Sequence, residues 1–330
     1  MLSDVLKAMK QSKFEQIKLI SIIGLPLLAI VFLVFFLDFK NIRRLGGVLD
    51  TQTILLVIAI SFIRPLSGGF RASFAYKPIN QLNIIDASKG YILSAYGTIF
   101  FPSTVGGDIL RIEHMKNCTG STRKEALLVA ALERIIGLFC LLFLAIFSIF
   151  ILSLLSINVI DMSNSVPSFW FVYFIIIAII CISILFFSFK KFKNYKRFDQ
   201  IKEYITSYAT PSVIIGIFIL SLIFQCISLC IPVIIGYALG GINVAINIAL
   251  ITPIVALFST LPISIGGFGL REVSYVGIGA LLSSGIDSEI CFLVGLSLSL
   301  SIIISGLPGI FFQNELISVK KKNKGVSENE

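Results

Sequence analysis

Long apolar segments separated by short polar loops run along almost the whole chain. Charge-free runs include residues 135–160 and 204–270, whereas a membrane-spanning helix needs only about 20 apolar residues. Strands of a membrane barrel have about 10 residues of alternating polarity, so runs of this length predict helices. The predicted spans are residues 17–37, 51–70, 126–155, 167–189, 211–237, 244–262, 269–285 and 290–312.

The composition agrees with this pattern. Of the 330 residues, 56% are hydrophobic and only 14% are charged, which is too little charge for the surface of a soluble domain. We therefore predict an all-α polytopic membrane protein with about eight transmembrane helices in a single domain, residues 17–312. Residues 1–16 are predicted to form a cytoplasmic amphipathic N-terminus, and residues 313–330 a polar cytoplasmic tail.

The positions of the basic residues predict the orientation. The net charge is +9, and the cations lie in loops, where they mark the cytoplasmic side rather than a nucleic-acid partner. Lysines and arginines cluster in the loop 190–203 and again from Lys320 onward. We expect this loop and both termini in the cytoplasm, with the loop linking two halves at about residues 17–189 and 204–312.

One ten-residue pattern occurs twice, beginning at Pro102 and at Pro262, 160 residues apart. The shared frame is P-x-[ST]-[VI]-G-G-x-x-L-R, and it closes an apolar segment each time. Paired Pro/Gly interruptions in corresponding halves are typical of transporters built from inverted repeats. We predict a pseudo-two-fold (inverted) repeat with two Pro/Gly-Gly-broken segments, 90–105 and 244–262, each of which either re-enters or spans the membrane.

The first copy predicts an anion site. A turn at Gly106 and Gly107 lets a ligand approach the backbone, and a helix that starts near Asp108 points its free N–H groups at that turn. Arg111 adds a fork of donors that suits phosphate, and Thr104 adds a hydroxyl group. The second copy supplies the corresponding residues Ser264, Gly266, Gly267, Arg271 and Glu272. The alternative is that the glycines allow close helix packing and the arginines anchor at the membrane interface.

Glu133 and Arg134 are neighbouring ionisable residues inside an apolar helix, and such residues at membrane depth usually face a partner or an aqueous cavity. They point about 100° apart on a helix. We expect Glu133 to pair with Arg111 or Arg271, and Arg134 to meet a substrate anion or a headgroup. Glu133 is also the predicted proton carrier of any coupled transport, and an ion pair at the cytoplasmic helix end is the alternative.

Two further arginines, Arg64 and Arg71, flank Pro65 at the end of the second predicted span. Their spacing of seven places both on one face if the helix continues past the proline, and interfacial anchoring is the prediction. His114 is the only histidine and no C-x-x-C pattern occurs, so we predict no metal site. No Walker motif is present either, and no cofactor is expected.

Three ordered motifs carry a resemblance to a known family. They are F-P-S-T-V-G-G-D-I-L-R from residue 101, R-K-E-A-L-L-V-A-A-L-E-R from residue 123 and L-P-I-S-I-G-G-F-G-L-R-E from residue 261. Together they resemble the flippase-like transmembrane family of the N-terminal region of lysylphosphatidylglycerol synthase, the multiple peptide resistance factor. The resemblance implies movement of lipids or lipid-linked molecules between leaflets. Lysyl transfer is not expected, because nothing in this sequence resembles the aminoacyl-transferase domain of the synthase.

These observations predict a non-enzymatic translocase of the prokaryotic cytoplasmic (inner) membrane. Its expected substrate is an anionic phospholipid or a lipid-linked phosphate such as polyprenyl phosphate, with the headgroup held between the two Gly-Gly-x-x-Leu-Arg motifs. Two alternatives stay open. One is a membrane-embedded transferase, and the other is a non-transporting subunit that presents lipid to a glycosyltransferase or another lipid-modifying enzyme.

Overall fold

The structure is a computed structural model that describes residues 38–100, 104–159, 208, 210–260, 267–282 and 286–312. Within these residues the regular secondary structure is helical, as predicted. The described helices are α1 (Phe39–Gly46), α2 (Thr51–Tyr76), α3 (Ile84–Phe100), α4 (Thr104–Thr119), α5 (Arg123–Val159), α6 (Pro211–Ser259), α7 (Leu270–Leu282) and α8 (Ser288–Gly306). The N-terminus 1–16, the predicted spans 17–37 and 167–189, the basic loop 190–203 and the tail 313–330 lie outside the described residues.

Four of the described helices are long and apolar enough to cross a membrane. They are α2, α5, α6 and α8 together with the residues up to Phe312. Helices α3, α4 and α7 have 17, 16 and 13 residues, fewer than the roughly 20 that a crossing needs. The multi-pass helical class is therefore confirmed, whereas the prediction of about eight spans is not. In particular, the predicted span 269–285 corresponds to the short helix α7.

Helix α6 joins two of the predicted spans. Its 49 residues cover 211–237 and residues 244–259 of the next predicted span, and the backbone leaves the helical conformation only at Gly241, where φ is 73° and ψ is −166°. A positive φ costs glycine little because glycine has no Cβ. The break between these two predicted spans is therefore a sharp kink between two helical arms, residues 211–240 and 242–259, rather than a loop.

Helix α2 continues past the point where its span was predicted to end. It runs through Pro65 as far as Tyr76, and its N-terminus is capped by Asp50, whose side chain accepts a hydrogen bond from Thr53 N at 2.9 Å. This cap satisfies one of the free N–H groups of the first turn. Because the helix survives the proline, Arg71 lies inside it and not at a membrane exit, so the predicted anchoring role for Arg71 is wrong.

Both Pro/Gly motifs join two antiparallel helical segments. Close contacts pair Gly97 with Gly107, and Gly90 with Met115, across α3 and α4. In the second half, Thr252 bonds to Tyr275 at 2.9 Å, so α7 folds back along the second arm of α6. Helices α3 and α4 therefore run antiparallel before and after the first motif, and the predicted re-entry or crossing of segment 90–105 stays a prediction. Each half then has the order long helix, hairpin, long helix, and the inverted relation of the halves stays a prediction.

Each half also has its own apolar core. One buried cluster is formed mainly by α2–α5 and includes Ala72 and Val129, and the other is formed mainly by α6–α8 and includes Ile251 and Val294. Helices α3 and α8 touch across the two halves, since a Cβ added at Gly306 would lie 2.8 Å from the backbone nitrogen of Tyr96. The outer faces of α2 and α5 expose large apolar side chains, which suit the hydrocarbon of a bilayer.

Candidate functional site: a buried row of charges

Glu133 is the centre of a buried polar network. This α5 residue is 2% exposed, and three donors converge on its carboxylate. Arg111 Nη1 lies 2.9 Å from Oε2, Arg71 Nε lies 3.3 Å from Oε1, and the Tyr91 hydroxyl donates to Oε1 at 3.0 Å. Burying a charge is tolerable only when it is paired and hydrogen-bonded, and this carboxylate is both.

Arg111 connects this network to the first motif. Its Nε lies 3.4 Å from Asp108 Oδ1 one turn earlier on α4, and its guanidinium lies 4.6 Å from the centre of the Tyr91 ring. Asp108 in turn forms an ion pair with Arg134 and accepts a hydrogen bond from Ser94 Oγ at 2.9 Å. The crevice beside Arg111 is too narrow for a water molecule, so Arg111 meets protein groups and not an open cavity.

Arg71 links its own helix, α2, to three other helices. Besides Glu133 on α5, its Nη2 donates to the Tyr91 hydroxyl of α3 at 2.7 Å, and its Nη1 donates to Ser221 Oγ of α6 at 3.3 Å. Its guanidinium also lies 4.9 Å from the centre of the Phe224 ring. Phe224 meets a second arginine as well, since the Arg64 guanidinium lies 5.6 Å from the same ring centre.

The second motif has a different geometry from the first. Gly267 and Gly269 have φ values of 85° and 76° in the turn before α7, so Gly267 lies in a turn as predicted, while Gly266 lies outside the described residues. A Cβ at Gly267 would also lie 2.8 Å from Arg271 Nη2. Arg271 Nη1 donates to Ser299 Oγ of α8 at 2.8 Å, and Ser299 Oγ donates to Glu272 Oε1 at 2.6 Å. The other Glu272 carboxylate oxygen, Oε2, is buried and has no hydrogen-bond partner among the described residues.

The two glycines of the first motif lie in a helix and not in a turn. Helix α4 begins at Thr104, four residues before the predicted start near Asp108, so Gly106 and Gly107 belong to its first turn. Gly107 lies where α3 and α4 touch, and small residues let helices approach this closely. The predicted turn is therefore wrong at this copy, because close helix contact outweighs the helix cost of glycine, about 1 kcal/mol.

The predicted site residues fall into three groups in the structure. Asp108, Arg111, Glu133 and Arg134 come together in one network, as the predicted pairing of Glu133 with Arg111 requires. Arg271 and Glu272 form a second group. Thr104 and Gly106 are described only through their helical backbone, and Ser264 and Gly266 lie outside the described residues.

Several polar residues of the site were missed from the sequence. Tyr91, Ser94, Ser221 and Ser299 carry no motif, and hydroxyl groups in apolar helices are common. Arg71 could have been recognised from the sequence, because it lies seven residues after Arg64 and shares its helix face if the helix continues past Pro65. Helix α2 does continue past Pro65.

Gly107→Ala is expected to lower the free energy of unfolding by about 1–3 kcal/mol, as overpacking of a tight contact does. The added Cβ would lie 2.2 Å from the Ser94 carbonyl oxygen and would push α3 from α4. The measurement is thermal unfolding of the detergent-purified protein. Gly277→Ala is the matched control, since a Cβ at this α7 position meets nothing within 4 Å. Equal losses in both variants would contradict the packing role of Gly107.

The fold and this site define a class, namely multi-pass helical membrane proteins whose interior holds a network of arginines and carboxylates. The chain belongs to the family of the lysylphosphatidylglycerol synthase TM region, whose sequence model matches residues 20–305. This match confirms the resemblance carried by the three motifs and indicates a function related to membrane lipids. Comparison with curated proteins and with solved structures gave no match.

Proposed function

We propose that this protein moves an anionic lipid headgroup across the prokaryotic cytoplasmic membrane without changing it covalently. The substrate class is an anionic phospholipid or a polyprenyl phosphate, and both termini lie in the cytoplasm. The lipid tails remain in the bilayer against the exposed apolar faces of α2 and α5, while the headgroup passes through the polar interior.

The excess of positive charge in the interior carries this proposal. In the part of the chain that the structure describes, one row of contacts leads from Asp108 to Arg64. Arg271 and Glu272 form a separate buried group around Ser299. The row and this group together contain five arginines and three carboxylates, a formal excess of two positive charges among the described residues. Their members are Arg64, Arg71, Arg111, Arg134 and Arg271, with Asp108, Glu133 and Glu272.

Excess charge inside a membrane protein is costly and usually marks the path of a substrate or an ion. A formal excess of two positive charges among the described residues favours an anion over a cation, and arginine guanidinium groups suit the oxygens of a phosphate group. The family of this chain links it to lipids. A phosphate-bearing lipid headgroup satisfies both conditions, and movement between leaflets needs no reacting group in the site.

Liposomes that contain the purified protein are expected to move labelled phosphatidylglycerol between leaflets faster than protein-free liposomes do. A fluorescent label on an acyl chain is quenched by an impermeant reductant only in the outer leaflet, so the quenched fraction reports the movement. Phosphatidylcholine with the same label is the control, since its choline cation opposes entry into a positive site. Mass spectrometry of the recovered lipid checks for a covalent product.

Three outcomes would count against the proposal. Equal rates for both lipids would indicate unselective scrambling, and a modified lipid would support the transferase alternative. Tight lipid binding without movement would support the lipid-presenting subunit.

A further inference from the structure

The short helix α1 has a positive face and an apolar face. Its cations Lys40, Arg43 and Arg44 are exposed, and at about 100° per residue they fall within an arc of about 100° around the helix axis. Ile42 and Leu45 lie on the opposite side and are half-buried, and Leu45 packs against the apolar core formed mainly by α6–α8. The three cations therefore project away from the bundle on one face.

Helix α1 lies at the level where two membrane-length helices begin. Residues 47–50 connect it to α2, which is long and apolar enough to cross a membrane. At its other end, the Asp38 backbone nitrogen donates to Glu289 Oε1 at 3.5 Å. Glu289 lies in the first turn of α8, where a second candidate span starts. The ends of spanning helices lie near the lipid headgroups, so the positive face of α1 lies at that level too.

The cations of α1 form no ion pair with a carboxylate among the described residues. The acids nearest to them in the sequence are used as helix caps instead. The Asp38 carboxylate accepts a hydrogen bond from Lys40 N at 2.9 Å, and the Asp50 carboxylate accepts one from Thr53 N at 2.9 Å. The side-chain charges on the positive face of α1 are therefore open to an anion from outside the described chain.

Exposed apolar side chains follow directly after this positive face. They begin with Val48 in the connection to α2 and continue in the first two turns of that helix with Ile54, Leu55 and Leu56. Cations at headgroup level next to an apolar surface match an amphiphile, because its phosphate meets the cations while its acyl chains lie along α2. A small soluble anion would use the cations and leave the apolar surface uncovered, so the combination favours a lipid.

We propose that α1 is a docking surface for the headgroups of anionic phospholipids, which are held by Lys40, Arg43 and Arg44 at one surface of the membrane. Arginine and lysine side chains both bind phosphate oxygens, and each cation beside an anionic membrane surface adds electrostatic attraction. This surface is separate from the buried charges of the interior. Its occupation needs no movement of lipid between leaflets, so the inference goes beyond the proposed function.

Photo-crosslinking from α1 tests this surface in a membrane. The full chain carries p-benzoylphenylalanine in place of Gly46, where a Cβ meets nothing within 4 Å, and is embedded in phosphatidylcholine nanodiscs that contain a trace of phosphatidylglycerol labelled on an acyl chain. We expect this lipid to be crosslinked about tenfold more than equally labelled phosphatidylcholine. The triple variant Lys40→Gln, Arg43→Gln, Arg44→Gln should lose this preference, because the attraction that produces it is electrostatic.

The matched control is the triple variant Lys77→Gln, Arg123→Gln, Lys124→Gln, which removes the same charge. These cations are also exposed, and they lie at the other end of α2. Lys77 follows the last residue of that helix, and Asn80 Nδ2 donates to the Thr119 carbonyl oxygen at 2.7 Å, close to the start of α5. This control should retain the preference for phosphatidylglycerol at α1.

Four outcomes overturn the docking surface. They are equal crosslinking of the two lipids, an unchanged preference in the α1 variant, an equal loss in the control variant, and loss of the crosslink when inorganic phosphate is added. The last outcome would assign the cations to a soluble anion. Size exclusion shows whether each variant is folded. If the triple α1 variant does not fold, Arg44→Gln alone decides, and an unchanged preference in that variant overturns the surface.

Discussion

Glu133→Gln is expected to destabilise the protein by about 3–5 kcal/mol, as removal of one partner from a buried ion pair does. Arg111 and Arg71 both bind this carboxylate, so the substitution leaves two buried guanidinium groups without their common anion. Folded proteins have only about 5–15 kcal/mol of stability, and the yield of folded protein should drop sharply. The measurements are monodisperse yield on size exclusion and the midpoint of thermal unfolding.

Glu113→Gln is the matched control for this prediction. Glu113 also binds two cations, Lys116 at 2.9 Å and Arg123 at 3.0 Å, but it lies near the surface, where such pairs contribute about 0–1 kcal/mol. A Glu133→Gln protein as stable as the wild type, with transport that no longer responds to a pH gradient, would contradict the structural role. It would instead favour the proton-carrying role predicted from the sequence.

Arg111→Met and Arg271→Met are expected to differ, although the two arginines occupy the same position of the repeated motif. Arg111 is paired with Glu133 and Asp108, so its loss leaves two buried carboxylates short of a partner and costs about 3 kcal/mol. Arg271 donates to the neutral Ser299 Oγ at 2.8 Å, so its removal breaks a hydrogen bond to a hydroxyl group, which costs less than the loss of two buried ion pairs. We expect low folded yield from the first variant, and near-normal yield with lipid movement reduced about tenfold or more from the second.

Both variants are compared in one assay series, with folded yield measured first and lipid movement then measured per mole of folded protein. This normalisation separates a loss of fold from a loss of transport. Equal yields and equal residual transport would contradict the division of roles. They would restore the symmetric site, with one arginine from each motif, that the repeated pattern predicts.

Much of the site was predictable because its residues are out of place in an apolar helix. A carboxylate such as Glu133 of α5 is costly in hydrocarbon unless a cation pairs with it, and Arg111 was one of the two cations predicted to do so. The kink at Gly241 was predictable in the same way, because two adjacent glycines interrupt an otherwise continuous apolar run. In each case a local property of the chain carries the information.

Other features depend on neighbours that are distant in sequence. Gly107 lies in a helix and not in a turn because Ser94 and Thr98 of α3 approach its Cα. No pattern in the neighbouring sequence indicates that contact. Arg71 was predicted to anchor at an interface, yet it binds groups on α3, α5 and α6. Proline in a helix usually ends or kinks it, and the continuation of α2 past Pro65 is what places Arg71 in the interior.

The sequence by itself determined the helical membrane class, the family and the two motifs. Hydrophobic run length and Gly/Pro spacing are local properties of the chain, and a bilayer narrowly restricts the structures that they allow. Only the tertiary structure decided which groups lie beside each charged side chain. It gave Arg111 two carboxylates and placed the Arg64 guanidinium beside the Phe224 ring. The physical reason is that an arginine acts through whatever lies a few ångströms from its guanidinium, and helix packing, not sequence spacing, brings those groups together.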